Sequence, residues 1–230
     1  MEFMSKRCTI WVGMALAAGL TGCVAQRGVD FGHWAGSPEM IPLTRPYNIR
    51  KSEKPIRSDL IALLPPLGVM EEKNRAEFQQ RILQEAQKYF PTRVIDIDPQ
   101  GPLSDYLNAE NLAPTTGIFD FQEVARVGRL MSAKYILGVW VREVKPHPPQ
   151  LVTLYVAMVD SASGTAIGEM EATFDAKEQQ VVVALRNNLQ SRRAREFDDS
   201  SLDVMLRSPS EFQGFVATVT CRELARALWP

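Results

Sequence analysis

Few residues in this 230-residue chain have the type and spacing for chemistry. Cys23 places a thiol directly after Leu20-Thr21-Gly22, at the end of an apolar run. Asp96 and Asp98, in "DIDP", set two carboxylates two positions apart at a strand end, where α/β folds often keep ligands. A solvated strand end is the plainer reading of that pair; a metal or acid–base site is the other. Arg192 to Arg195 ("RRAR"), followed by "EFDD", could grip a phosphate or an acidic partner, or simply close a charged helix end with local ion pairs. His33 and His147 have no partners at metal-ligand spacing. No G-x-S-x-G, P-loop or G-x-G-x-x-G word occurs. Cys221 reads as a small buried apolar residue rather than a nucleophile or an intermolecular bridge. The chain is therefore expected to be no enzyme and to hold no cofactor beyond what Cys23 carries.

The residues before Cys23 explain its position. Lys6 and Arg7 form a positive start, and Ile10 to Leu20 an apolar stretch far shorter than the roughly 20 residues that span a bilayer. This is the layout of a secretory signal, not of a transmembrane helix. Leu20 to Cys23 resembles the lipobox of bacterial lipoproteins. The resemblance implies cleavage between Gly22 and Cys23 and diacylation of the Cys23 thiol, commonly with a third acyl chain on the new amino group. Each buried methylene contributes roughly 0.8 kcal/mol, so two or three chains anchor stably where one does not. Val24 stands where inner-membrane lipoproteins often carry Asp, which implies an outer-membrane lipoprotein facing the periplasm. Cys8 leaves with the signal and Cys23 is lipidated, so Cys221 has no intrachain disulfide partner.

Three segments follow: a signal over 1–22, a lipid-anchored tether over 23–59, and an α/β domain over 60–230. The tether holds Pro38, Pro42, Pro46 and Pro55 without any period. Phe31 and Trp34, in "VDFGHW", either dock on the domain or a neighbouring subunit, or stand as stray aromatics of a loose linker. From Leu60 the pattern is β-α-β: "LIALLPP", then a helix from Glu71 with a Phe78/Ile82/Ala86/Tyr89 stripe stopped by Pro91, then "TRVIDID". A loop over 101–117 holds a short helix around Asp105 to Asn111. Asp120 and Glu123 then open a further helix as a capping box. Strands "KYILGVWVREV", "LVTLYVAMVD" and "TAIGEMEATF" make an antiparallel meander. In the last, Ala166, Gly168, Met170, Ala172 and Phe174 share one face, and Thr165, Ile167, Glu169, Glu171 and Thr173 the other. A helix starts at Asp175/Glu178, "EFDDSSLDVMLRSP" reads as loop, and Ser208, Pro209 and Glu211 start the last helix. The fold class is α/β: a mixed sheet with a β-α-β start and a three-strand meander, covered by helices.

Two short words carry a second resemblance. Met131-Ser132-Ala133-Lys134-Tyr135-Ile136-Leu137-Gly138 ends a helix and starts a strand; Met158-Val159-Asp160 with Ser163-Gly164 ends a strand in a turn. They resemble the periplasmic module shared by the TolB N-terminal domain, the lipoprotein activator of penicillin-binding proteins and the curli-secretion lipoprotein. Lys134 departs from the Asp common at that place, and Ala176 to Glu196 reads as a charged helix where the curli channel has membrane-inserting strands. The resemblance implies a non-enzymatic assembly or export accessory that binds proteins or builds a ring; the alternative is a regulator that activates a cell-wall synthase across the periplasm. The expected partners are the membrane through the lipid, an envelope protein and further copies of the chain. A net charge of -1 gives no call for nucleic acid. On the last helix, Phe212, Phe215, Val216 and Val219 form one apolar stripe. Ala217, Cys221, Leu224 and Leu228 form a second, which is the candidate interface.

Overall fold

Three apolar words form a parallel core of strands, with the middle one buried on both faces. In a computed structural model, which describes residues 48–51, 59–113, 118–192 and 199–230, these are β2 (Ile61–Leu63), β4 (Val94–Asp96) and β5 (Tyr135–Lys145). β2 lies between β4 and β5, parallel to both. Helix α1 (Glu72–Tyr89) crosses from β2 to β4, and α3 (Phe121–Leu130) from β4 to β5. The two-residue β3 (Leu67–Gly68) pairs with the far half of β5. β6 (Leu151–Asp160) and β7 (Thr165–Asp175) complete the antiparallel meander. With β1 (Asn48–Lys51) at one edge, the full order is β1-β7-β6-β5-β2-β4, a mixed sheet of seven strands among the described residues, counting β3.

The outer strand is β1 (Asn48–Lys51), antiparallel to β7. It falls inside the stretch read as tether. Its isolated "NIRK" has too little pattern to announce a strand; the exposed edge of β7 supplies the pairing partner.

The helix signals act as their chemistry requires. The Asp120 side chain accepts from the Gln122 and Glu123 amides, and Ser208 accepts from the Glu211 amide with Pro209 in the first turn of α6 (Pro209–Leu228). The expected short helix resolves into a 3-10 turn (Ser104–Tyr106) and α2 (Ala109–Leu112). Two local readings change. α4 (Gln179–Arg192) starts later than Asp175, which instead ends β7 and accepts from the Lys177 amide. The polar stretch after it contains α5 (Asp199–Arg207), whose Leu202 and Met205 are buried. Ile167 also leaves its expected face. A register shift between Met158 and Val159 makes it the extra residue of a bulge, and it joins the core with Met170.

One face of the sheet is closed by α1, α4, α5 and α6 over a core that includes Phe78, Leu154, Phe174 and Phe215. Among the described residues the other face is closed only at one end, where α3, α2 and Phe119 cover Ala62, Ile136 and Val159. The second stripe of α6 is inside the first of these layers: Ala217, Cys221, Leu224 and Leu228 are at most 1% exposed in the single chain. Cys221 Sγ donates to the Ile82 carbonyl of α1, and Leu228 lies over Gly168 of β7. The other stripe meets the sheet, with Phe215 edge-on to Phe174 at 5.8 Å. The candidate interface is therefore corrected to an internal contact. A helix wedged between a sheet and a second helix needs two apolar stripes, and α1 with β7 covers the second one.

Candidate functional site

The uncovered end of the second sheet face holds a cleft of about 210 Å³, lined by Arg50, Ile118, Arg142, Tyr155, Glu169 and Glu171. Strand alternation puts these side chains together: β7 offers Glu169 and Glu171 outward while Met170 and Ala172 point into the core. Tyr155 lies opposite Glu171, and Arg50 opposite Glu169. Arg142 arrives by a different device. The register between β5 and β6 jumps from Val141 to Glu143, so Arg142 is the extra residue of a bulge. Bulges re-aim side chains, and here the guanidinium lies 5.4 Å from the Tyr155 ring centre and pairs with Glu171.

An aromatic cluster adjoins Tyr155. Phe119 stands edge-on to Trp140 at 6.3 Å and tilted against Tyr155 at 6.0 Å. Gly138 makes this possible, because a Cβ there would lie 2.8 Å from the Phe119 ring. The Tyr155 hydroxyl donates to Glu169; burial first, and then that bond, hold the phenol well above its usual range. Tyr155 is thus a neutral donor and no base. Arg142 Nε is shielded from solvent and has no hydrogen-bond partner. The surface so formed pairs charge with aromatic area and suits recognition of a peptide or protein surface more than bond-making.

The residues singled out from sequence have other places. Asp96 accepts from the Gln79 side chain, and from Gln80 Nε2 at 3.2 Å. Asp98 accepts from the Gln100 amide at 2.9 Å, so both carboxylates serve local structure. His147 sits in an exposed loop. Gly22, Cys23, His33, Phe31, Trp34 and residues 193–195 lie outside the described residues. Among the described residues no group of three or more His, Cys, Asp or Glu could hold a metal ion, and no helix is long and apolar enough to cross a membrane.

The two sequence words meet in space. Lys134 Nζ lies 2.7 Å from Asp160 Oδ2, while Asp160 Oδ1 accepts from the Ala162 and Ser163 amides of the turn. Burial alone would raise the Asp160 carboxyl; the Lys134 ammonium and the two amides outweigh it and hold the group below its usual range. Gly164 closes the turn at φ +67°, a conformation that favours glycine.

No family model and no curated protein matches this chain. Solved structures do. The L103M PelC dodecamer from Paraburkholderia phytofirmans is similar at 12% identity and TM-score 0.44, over 79% of this chain and 98% of that one. Lipoprotein GNA1162 from Neisseria meningitidis aligns at 14% identity and TM-score 0.39, over 50% and 81%. The LpoB C-terminal domain from Salmonella enterica aligns at 10% identity and TM-score 0.34, over 54% and 85%.

Sequence reasoning saw the polar face of β7 but did not join it to Arg50, Arg142 or Tyr155. A lone arginine inside the strand word "GVWVREV" was the available signal, since a charge in such a run marks either an edge or a bulge.

Proposed function

We propose that the chain is a non-enzymatic lipoprotein of the outer membrane. Anchored through Cys23, it serves assembly or export in the envelope by protein–protein contact. The contact surface is the open half of the sheet, from Arg50 of β1 to Arg142 of β5. The observation that carries this reading is the asymmetry of the two faces. Helices close one face along its length, whereas the other leaves a charged, aromatic surface uncovered among the described residues. Tyr, Trp and Arg are the residues enriched where proteins meet. Further copies of the chain are among the partners this surface would accept.

A photo-reactive side chain in place of Thr173, on this face, should give adducts in intact cells. The same group in place of Glu178, exposed but off this face, should give few. The adduct mass separates a second copy of the processed chain from another envelope protein. Equal yields at the two positions would refute the assignment of the surface. One sequence feature favours the second reading, a regulator of a cell-wall synthase. Residues 24–47 alone could stretch to about 80 Å, enough to carry the domain far from its membrane.

A further inference from the structure

The cleft is formally balanced, with Arg50 and Arg142 against Glu169 and Glu171, but its charges are unequally committed. Glu169 accepts the Tyr155 hydroxyl, and Glu171 holds the Arg142 guanidinium beside the Tyr155 ring. Each carboxylate therefore already has a donor inside the cleft. The arginines have no matching set of acceptors. Arg50 is exposed and stands opposite Glu169 in the β1–β7 pair, yet it makes no ion pair with any described residue. Arg142 Nε is shut off from solvent without a hydrogen-bond partner. A charged donor left in that state costs free energy that an arriving acceptor recovers.

We propose that the cleft takes a carboxylate side chain of a protein partner, an Asp or Glu seated between Arg50 and Arg142, with a neighbouring apolar side chain of the partner on Ile118. The inference rests on the reading of this face as the contact surface and names the group that the surface recognises. The commitments of the four charges select an acid over a base. A partner's ammonium or guanidinium would have to displace Arg142 or the Tyr155 hydroxyl from glutamates already engaged. A carboxylate displaces nothing at Arg50. At Arg142 it draws the guanidinium from Glu171 into the two-point contact that arginine makes with carboxylates. Glu171, already half exposed, then returns to water at small cost. The cleft has room for such a side chain, since about 210 Å³ exceeds the ~150 Å³ that holds a benzene ring. Ile118, 49% exposed at the rim, supplies the apolar part of the contact.

The test uses the photo-reactive group at position 173 in intact cells. It also uses the purified mature chain in detergent, titrated with the peptide acetyl-Leu-Glu-Leu-amide. Arg50→Gln should lower both the adduct yield and the peptide affinity about tenfold or more, the loss expected for one hydrogen bond between charged groups. Arg50→Glu should abolish both. Glu171→Gln frees Arg142 and should raise both severalfold. The same peptide with Lys in place of Glu should not bind. Unchanged thermal midpoints show that the variants keep the fold, and the Arg50 variants, at an exposed edge strand, decide the matter if Glu171→Gln does not fold. Opposite signs, or binding of the Lys peptide, would make the cleft a cation site and overturn the proposal. Yields and affinities indifferent to all three variants overturn it too, while position 173 still outdoes position 178 and the contact surface stands. Equal yields at 173 and 178 are the separate failure of the contact-surface reading itself.

Discussion

At the level of single residues, the two sequence words prove to be joints. Asp160 holds Lys134 and two turn amides at once. Because its folded pKa lies below the unfolded value of about 3.9, its stabilisation is fully present above that value. It is lost as pH falls through the folded one. Asp160→Asn should therefore cost about 1–3 kcal/mol at neutral pH and flatten the acid limb of stability, as read from urea midpoints at falling pH. A variant with the wild-type acid limb would mean the carboxylate is not the titrating group. Gly138→Val should cost about 1–3 kcal/mol by forcing Phe119 off the sheet. The Trp140 emission should change with it, since Phe119 stands against that indole. These roles were readable only as words. A sequence shows that Lys134 departs from an Asp; it does not show that Asp160 sits across from it, because the pairing depends on the registry of β5 and β6.

Elements were legible where local chemistry decides them. The caps at Asp120 and Ser208 and the stop at Pro91 need only neighbours in sequence. What failed was whatever depends on a distant partner. β1 exists because β7 has an edge to offer, and α5 because Leu202 and Met205 find the α6 layer. The stripes of α6 were read correctly as two. Their meaning was not, since periodicity counts apolar faces and does not say what covers them. Leu224→Glu with Leu228→Glu should accordingly destabilise the fold by several kcal/mol, because each buries an unpaired carboxylate. Calorimetry should show the loss, with no change in assembly mass attributable to a lost interface. A stable double variant of lower mass would reinstate the stripe as a surface.

For the whole molecule, the division is between a closed face that supplies stability and an open one that is the proposed contact surface. The former could be foreseen from apolar periodicity. The latter required two arginines, two glutamates and a tyrosine from four strands, with one arginine delivered by a bulge that no local pattern announces. The proposed membrane attachment belongs to the same scale. Cys23→Ala should leave the protein soluble or unprocessed in the periplasm, because the lipid is the proposed anchor. Fractionation after a carbonate wash checks this, and a processed variant that stays with the membrane would remove Cys23 from that role.

Cys221 has a use that its burial alone confers. Its sulfur lies against the Ile82 carbonyl between α1 and α6, and burial pushes the thiol well above its usual range. In a form lacking residues 1–23 it is the sole thiol. No alkylating reagent reaches it unless the α1–α6 seam parts. Its labelling rate is then an internal clock for the rarest opening of the domain, readable in dilute solution without denaturant.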